Sequence, residues 1–395
     1  MSAPICLVVG AGRVVGGYIA PLLVSAGWRP VLVCRNREVL QAISQGGGLW
    51  HRTVGDCPKD RWVGGIAVIL PGDKSLPKLA AEAELVATAV GPASLSEVGR
   101  TLAPLLRHRL EESGSPTNVI TFENSRQGPE LLALGMLEEE PTLSGEIGER
   151  IGIGGAAVWR TVSTREITPE GVRFNANREN ECYVDAVPLV PGIPPLDGSI
   201  PGLILVHAFD HRMVEKLWRF NAGHVATAYL GWHAGCETLN EAMSRPHIRE
   251  AVESVVGEAQ RAFEFYLDSR PSSEPIPPRS LDEILGLYVD PALRDPVVRV
   301  GREPRRKLGH NDRLIGPAVA AMAAGLRPVA LAEAAAAALS YAELEDPQAR
   351  DLQREISLLG PEEVLAMVST LDKRDELTRL ICDRFRDRAA GEVAS

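Results

Sequence analysis

The feature that most constrains the fold is a short apolar run that enters a glycine-rich turn at the start of the sequence. Ile5–Val9 is continuous and rich in branched residues, as expected for a strand that is buried on both faces. The turn Gly10–Gly17 and a helical pattern follow. Pro30–Cys34 then predicts a second strand, and Arg37–Ile43 a second helix. This order of strand, turn, helix and strand predicts an α/β domain with a doubly wound sheet of Rossmann type.

The glycines of this turn favour a dinucleotide as the ligand. Small residues let the backbone approach a pyrophosphate, whose charge is stabilised by the exposed amides and dipole of the helix N-terminus. Val15 replaces the third glycine of the usual pattern, although Gly16 and Gly17 follow it. The alternative is a tight turn that binds no ligand. We predict the following cofactor-binding residues in this turn: Gly10, Ala11, Gly12, Arg13 and Val14.

The end of the second predicted strand bears on the choice between NAD and NADP. Sites for NAD usually place an acidic residue there, whereas arginine suits the 2′-phosphate of NADP. The chain reads Cys34-Arg35-Asn36-Arg37 and has no acid in this stretch. Arginines in a loop are also often only solvated surface. We predict an NADP or NAD site, with NADP slightly favoured, and Arg35 as a cofactor-binding residue.

Strand and helix signals alternate through the rest of the first half. Gly48–Leu70 predicts a hairpin insertion, and further strands are predicted at Leu85–Val90 and Val119–Phe122. Ligands of open parallel sheets bind beyond the carboxyl ends of the strands. An asparagine at such a place is a candidate for the reaction centre, although it is also a common turn residue. The loops after these two strands contribute Val90 and Gly91 as predicted cofactor-binding residues and Asn124 as a predicted catalytic residue.

The second half of the chain is predicted to be mostly α-helical. Prolines mark irregular connections up to Pro201, and helical patterns begin at His207. We therefore predict a Rossmann dinucleotide-binding domain at residues 1–201 and a helical substrate-binding and catalytic domain at 202–395. The predicted helices are Val214–Ala234, His247–Leu267, Leu281–Tyr288, Leu314–Ala324, Leu331–Tyr341 and two more near the end.

Composition excludes several classes of function. A net charge of −10 argues against nucleic acid as a partner, and the longest apolar segments are too short to span a bilayer. The six cysteines are scattered singly, which is typical of reduced thiols, and no histidine or cysteine spacing predicts a metal site. The first strand begins too close to Met1 to leave room for a signal peptide. We expect a cytoplasmic protein with a small-molecule substrate, no nucleic-acid or membrane partner and no metal.

A lysine, an asparagine and a histidine near the middle of the chain supply the groups that carbonyl and alcohol interconversion needs. Lys216 can act as a general base once it sheds its proton, the Asn221 amide can donate to a developing oxyanion, and His224 adds an imidazole. On a continuous α-helix the three residues would lie within an arc of about 140°. Taken singly, Lys216 reads as a solvated helix lysine and His224 as a buried core histidine.

The spacing of these residues carries a family resemblance that covers nearly the whole chain. Lys216–His224, followed by Ala226–Gly231, resembles the signature of the polyol-specific long-chain dehydrogenases, and the closest similarity is to the mannitol-1-phosphate 5-dehydrogenases. Co-linear matches of this kind are more specific than any single motif. The supporting matches are Gly10–Gly12, Thr88–Pro92, Glu123–Asn124, Val300–Leu308 and Asp312–Ile315.

The resemblance implies hydride transfer between a nicotinamide cofactor and a secondary alcohol or ketone, without a metal. By that resemblance Lys216 is the acid/base, and burial together with the cationic nicotinamide of the oxidised cofactor would favour its neutral form. Asn221 and Asn124 resemble the pair of amides that hold the substrate oxygen. His224 resembles the histidine that positions the substrate.

A basic stretch supplies positive charge that the acidic chain otherwise lacks. Arginine forks bind phosphate oxygens bidentately, and lysine adds a point charge. This stretch predicts a phosphorylated ketose or polyol as substrate. The alternative is a solvated charge run, or internal pairing with Glu303 and Asp312. The predicted substrate-binding residues are Arg302, Arg306, Lys307 and Arg313.

Two departures from the family pattern limit the substrate prediction. Trp159 replaces an aspartate that would lie near the substrate, and Gly316 stands where mannitol phosphate enzymes often carry a lysine. An alternative is therefore an enzyme of the same fold that acts on an unphosphorylated or modified sugar. A further alternative is a noncatalytic protein that only binds nucleotide.

Overall fold

The computed structural model describes residues 3–393 except Asp56, Ser273, Pro278 and Pro291. The chain divides into two compact units, Met1–Met213 and Val214–Ser395. The boundary predicted after Pro201 precedes a strand that pairs within the sheet of the first unit. The Gly55-Asp56 turn of the predicted hairpin is only partly covered, since Asp56 lies outside the described residues.

The first unit is built on strands. Its described residues contain β1 Ile5–Val9, β2 Arg29–Val33, β3 Gly48–Thr53, β4 Lys59–Gly64, β5 Ala67–Ile69, β6 Leu85–Thr88, β7 Thr117–Thr121, β8 Ile151–Val158, β9 Val162–Thr168, β10 Gly171–Ala176, β11 Cys182–Asp185 and β12 Ile204–Val206. Eight of them form one sheet in the order β12-β11-β8-β7-β6-β1-β2-β5. The six strands from β8 to β5 are parallel, and β11 joins β8 in antiparallel orientation.

The main sheet separates two apolar cores, which explains why its strands are continuous apolar runs. In β1, Cys6 and Val8 belong to one core together with Val15. Leu7, which points to the opposite face, belongs to the other core with Leu102 and Leu106. Helices cover both faces, as in a doubly wound fold. The fold class predicted from the sequence is therefore confirmed.

The helical segments of the first unit connect these strands. A turn of π-helix, Val15–Ile19, follows the glycine turn and leads into Ala20–Ser25. The helix Leu95–Ser113 lies between β6 and β7 in sequence. The other helices of this unit are Arg37–Gly46, Leu76–Glu82, Gly128–Glu139 and the short 3-10 turns Pro92–Ser94 and Pro141–Gly145.

A second sheet, β4-β3-β10-β9, includes the predicted hairpin insertion. This sheet packs against the helix that follows the glycine turn. A Cβ atom at Gly16 would lie 2.2 Å from the Phe174 ring, and one at Gly17 would lie 2.5 Å from Val162. Gly16 and Gly17 therefore permit close approach to the second sheet, while Val15 is fully buried in the core beside the main sheet.

His51 makes the free energy of unfolding depend on pH, because its imidazole is buried in this packing. Its Nε2 lies 3.1 Å from the carbonyl oxygen of Gly17, and burial lowers the pKa of the imidazole to about 4. Between pH 6.5 and 4 the unfolded chain binds more protons here than the folded protein, so the free energy of unfolding falls as the pH falls. We expect a loss of about 2 kcal/mol from this group between pH 7.5 and 5. His51→Gln, which keeps a donor for Gly17, should lack this loss.

Urea unfolding of the wild type and His51→Gln at pH 7.5 and 5 checks this expectation. The difference between the two proteins isolates His51 from the carboxylates that titrate in the same range. The exposed His108 provides the matched control, His108→Gln. Equal pH dependence in the wild type and His51→Gln would contradict the assignment.

The described part of the second unit is helical, as predicted. The predicted helix Val214–Ala234 is a run of three segments: Phe209–Glu215, the π-helical turn Lys216–Phe220, and Asn221–His233. Three helices follow residue 346, where two were predicted. The remaining helices are Leu239–Ser244, Pro246–Ser269, Leu281–Val289, Val297–Gly301, Pro304–Lys307, Ile315–Ala323, Val329–Leu339, Pro347–Leu359, Pro361–Ser369 and Glu376–Val393.

Candidate active site

The glycine turn after β1 forms a backbone cradle. Gly10 has a φ of 120°, and a Cβ atom there would lie 2.7 Å from the carbonyl oxygen of Ala89. Only glycine fits this position, because a side chain would meet the loop after β6 and the conformation disfavours other residues. Helical backbone begins at Arg13, directly after Gly12. The cradle and the amides of the helix that follows it fit the pyrophosphate of a dinucleotide.

Glu123 organises the loop that contains Val90 and Gly91. Its buried carboxylate accepts hydrogen bonds from the Thr88 hydroxyl at 2.8 Å and the Val90 amide at 2.9 Å. Burial raises the pKa of Glu123, and these hydrogen bonds oppose the rise. Sequence reasoning gave Glu123 no role, although the family motif Glu123–Asn124 was a signal that could have identified it.

Arg35 lies at the surface, just beyond the end of β2. Its guanidinium pairs with Glu97 at 2.7 Å, and the two side chains are 64% and 60% exposed. An exposed pair of this kind contributes little to the free energy of unfolding, and the guanidinium can exchange Glu97 for another anion. Asn36 caps the next helix by accepting a hydrogen bond from the Val39 amide at 3.0 Å. The side chain of Asn36 is thus the N-cap of this helix, whereas the Arg35 guanidinium can leave Glu97 and bind another anion.

Lys216 and Asn221 lie at the two ends of a π-helical turn. The backbone N–H of Asn221 donates to the carbonyl oxygen of Lys216, which closes the turn over five residues. Such a turn brings these two residues closer to the same face than the 140° separation expected on an α-helix. The continuous α-helix assumed from the sequence is therefore wrong at this point. Lys216 and Asn221 are 8% and 4% exposed.

A buried ion pair braces the π-helical turn. Glu215 and Arg219 are each 2% exposed at the side chain, and their nearest charged atoms lie 2.9 Å apart. Arg219 also donates to the carbonyl oxygen of Arg279 at 2.7 Å. Burial lowers the pKa of Arg219, although the Glu215 carboxylate favours the charged guanidinium. Removal of either partner would leave a charge in a site that is poorly solvated.

His224 is held by a carboxylate that the sequence analysis did not identify. The imidazole Nε2 lies 3.4 Å from Asp295, and both oxygens of this carboxylate bind the Arg299 guanidinium. Burial lowers the pKa of His224, although Asp295 opposes the shift. Burial alone would raise the pKa of Asp295, but Arg299 and His224 hold it below its usual range. The lowered pKa favours the neutral imidazole, and no sequence motif linked His224 to Asp295.

The cations of the basic stretch are largely paired within the protein. Arg306 lies 2.9 Å from Glu303 and 3.7 Å from Asp312, and Arg313 lies 2.5 Å from Asp312. The buried Lys307 ammonium donates to the carbonyl oxygens of Val300 and Arg302. Burial lowers the pKa of Lys307 well below its usual range, and Arg313 and Arg306 add to the shift.

Two sequence profiles of one family match most of this chain. The profile of the mannitol dehydrogenase Rossmann domain matches residues 5–185, and that of the mannitol dehydrogenase C-terminal domain matches residues 206–385. The chain belongs to the mannitol dehydrogenase family. The predicted resemblance to polyol dehydrogenases is therefore confirmed at the level of the family, which is one of oxidoreductases with a Rossmann domain.

Solved structures with the family fold share little sequence with this chain. A Pseudomonas fluorescens mannitol 2-dehydrogenase, in a ternary complex with NAD and D-mannitol, superposes with a TM-score of 0.81 at 15% identity. The match covers 100% of this chain and 93% of that protein. A substrate-free D-sorbitol dehydrogenase has a TM-score of 0.68 at 16% identity, with 97% and 93% of the two chains covered. At these identities the likeness shows the fold.

More distant structures share the fold in part. A 2-dehydropantoate 2-reductase from Geobacter metallireducens has a TM-score of 0.54 at 17% identity, with 85% of this chain and 98% of that chain covered.

Within the described residues, no helix has the length and hydropathy to span a membrane. The same residues hold no group of three or more His, Cys, Asp or Glu side chains arranged for a metal.

The departure from the family at Gly316 has a structural counterpart in Trp218. A Cβ atom at Gly316 would lie 2.8 Å from the indole Nε1 of Trp218. Trp218 is 5% exposed and makes an edge contact with Tyr266, with the ring centroids 5.4 Å apart. The indole therefore fills the space that a lysine at position 316 would need.

Two residues of the first unit follow neighbouring strands of the main sheet. Asn124 comes after β7 and is partly buried, and Trp159 comes directly after β8 with 1% of its surface exposed. β7 and β8 are parallel, so their carboxyl ends lie at the same edge as the loop that Glu123 holds. Trp159 thus fills interior volume at the sheet edge where an aspartate is common in the family.

Proposed function

We propose that this protein is an NAD(P)-dependent oxidoreductase that interconverts a polyhydroxy ketone and the corresponding polyol, with Lys216 as the acid/base. The observation that carries the proposal is the π-helical turn that places the buried Lys216 and Asn221 near one face. A turn of π-helix is rare and is frequently found at functional sites. Membership in the mannitol dehydrogenase family supports the same reaction class.

We assign a separate role in this reaction to each of the candidate residues. The nicotinamide cofactor, when bound, supplies or accepts the hydride. Lys216 accepts the hydroxyl proton during oxidation and returns a proton to the oxygen during reduction. Asn221 donates a hydrogen bond to the substrate oxygen, which carries more negative charge in the transition state than in the ketone. The family resemblance assigns Asn124 the same role. His224 is assigned the positioning of the substrate, as the family resemblance implies, and its Nε2 lies 3.4 Å from the Asp295 carboxylate.

The pairing of the basic stretch favours an unphosphorylated substrate. Asp312 and Glu303 offset the charges of Arg306 and Arg313, and Lys307 is bound to backbone carbonyls. Trp218 fills the place of the lysine that mannitol phosphate enzymes often carry. A dianionic phosphate would have to displace these carboxylates, whereas a neutral hydroxyl group can share them as hydrogen-bond partners.

A ketose phosphate is the second candidate, and the exposed Arg302 is the observation that favours it. Arg302 is the member of the predicted phosphate-binding set with the most exposed side chain, so it can reach an anion without breaking a buried pair. We also propose that the enzyme prefers NADP over NAD with either substrate, since the end of β2 carries Arg35 and no acid.

A panel of ketones separates the two substrate classes. The test follows oxidation of NADPH and NADH by absorbance with fructose, fructose 6-phosphate and a wider set of neutral ketoses and their phosphate esters. We expect a neutral polyhydroxy ketone to have a higher kcat/KM than its phosphate ester, and Arg302→Gln to change this value by less than about twofold. If a phosphate ester is the better substrate and Arg302→Gln lowers its kcat/KM by about tenfold or more, the phosphorylated class is correct.

A further inference from the structure

One row of side chains crosses the second sheet of the first unit. Arg61 on β4 lies opposite His51 on β3, His51 opposite Phe174 on β10, and Phe174 opposite Arg165 on β9. Residues directly opposite one another on neighbouring strands place their side chains on the same face of a sheet. Arg165 therefore shares the face that carries His51 and Phe174.

This row runs along the helix that follows the glycine turn. At one end the Arg61 guanidinium donates to the Ser25 hydroxyl at 3.1 Å, near the C-terminus of that helix. His51 contacts Gly17, and Phe174 packs against Gly16. From β4 to β10 the contacted residues are Ser25, Gly17 and Gly16, so the contacts move toward the helix N-terminus. Arg165 is the next residue of the row, on β9.

A second observation places Arg165 near the end of β2. Strand β9 packs against the helix Arg37–Gly46, which begins directly after Cys34-Arg35-Asn36. Burial raises the pKa of the Cys34 thiol, and the positive charge of Arg165 opposes that rise. The guanidinium is therefore close enough to act on a residue at the point where Rossmann domains bind the adenosine ribose.

The charge at this point is suited to an anion. Arg165 is exposed, and no carboxylate of the described residues forms an ion pair with its guanidinium. The stretch Cys34 to Arg37 contains no acid that could accept hydrogen bonds from a ribose hydroxyl. An arginine fork can bind two oxygens of a phosphate group at once.

We propose that Arg165 binds the 2′-phosphate of NADP and is a specificity-determining residue contributed by the second sheet. This inference rests on the proposed nicotinamide cofactor and assigns its preference to a residue outside the strand, turn and helix unit. The cofactor site thus draws one cation from β9, more than a hundred residues after the glycine turn in sequence.

Binding of nucleotide fragments tests the inference without a known substrate. Isothermal titration calorimetry compares adenosine 2′,5′-bisphosphate with adenosine 5′-monophosphate, which differ by the 2′-phosphate alone. We expect the wild type to bind the bisphosphate more tightly, and Arg165→Gln to raise its Kd by about tenfold or more while leaving the monophosphate unchanged. Arg61→Gln, which removes the same charge from the far end of the row, should change neither Kd by more than about twofold.

Other results would overturn the inference in distinguishable ways. An equal loss of affinity for both nucleotides in Arg165→Gln, or equal effects of Arg165→Gln and Arg61→Gln, would exclude a specific 2′-phosphate contact. A wild type that does not distinguish the two nucleotides would also exclude it. Ketone reduction with NADH in that last case would leave the proposed oxidoreductase activity intact.

Discussion

Lys216→Ala is expected to lower kcat for ketone reduction by about 10²–10⁴-fold, the usual contribution of a positioned general acid or base. The alanine removes the ammonium that protonates the substrate oxygen and leaves the π-helical turn without its buried amine. KM should change much less, because the proton transfer stabilises the transition state and not the bound ketone. Steady-state kinetics with saturating cofactor and the best ketone of the panel measure both constants.

Two controls separate loss of catalysis from loss of structure. Lys373→Ala removes an exposed lysine that pairs with Glu363 and should keep the wild-type kcat. Cofactor affinity and the free energy of unfolding of Lys216→Ala should both stay close to the wild-type values. A kcat for Lys216→Ala within about twofold of the wild type would refute the acid/base assignment.

Glu215→Gln is expected to lower the free energy of unfolding by about 3–5 kcal/mol. The substitution removes one charge of a pair whose side chains are both 2% exposed, so the Arg219 guanidinium stays buried without its counter-ion. Burial lowers the pKa of Arg219 and the Glu215 carboxylate opposes this shift, so we expect the carboxylate to offset part of the desolvation cost of the guanidinium. Urea unfolding at neutral pH measures the change.

A surface pair with the same sequence spacing provides the matched control. Lys78 and Glu82 lie four residues apart with their charged atoms at 3.8 Å, and both side chains are largely exposed. Glu82→Gln should cost less than about 1 kcal/mol. The double substitution Glu215→Leu and Arg219→Met removes both charges of the buried pair and should recover part of the stability lost in Glu215→Gln. Arg279, which lies 3.9 Å from Glu215, keeps its charge in both variants. A loss below about 1 kcal/mol in Glu215→Gln would show that the pair does not brace the turn.

Local pattern was sufficient for the fold because burial on both faces leaves a clear signature in sequence. The run Ile5–Val9 enters two cores at once, so each of its residues must be apolar. The glycine turn was equally readable, since Gly10 adopts a conformation that other residues avoid. The helices of the second half were predicted from the helical spacing of their apolar residues.

Features that depend on tertiary neighbours were not readable in the same way. The π-helical turn at Lys216 depends on which hydrogen bonds the packed helix closes, and the residue pattern is compatible with a plain α-helix. Asp295 reaches His224 only through the fold, and no spacing motif connects the two. The charges of Arg306 and Arg313 suggested a phosphate site, but the structure gives them carboxylate partners that sequence reasoning had kept only as an alternative.

Chemical rescue of Lys216→Ala tests the central assignment most directly. The measurement is the rate of reduced-cofactor oxidation by this variant with the best ketone, as a function of added methylamine. If Lys216 transfers the proton, the rate should rise with methylamine concentration and saturate, while Lys373→Ala shows no response. A variant that binds cofactor and ketone normally but gains no activity from any small amine, or one that is fully active without it, would contradict the account.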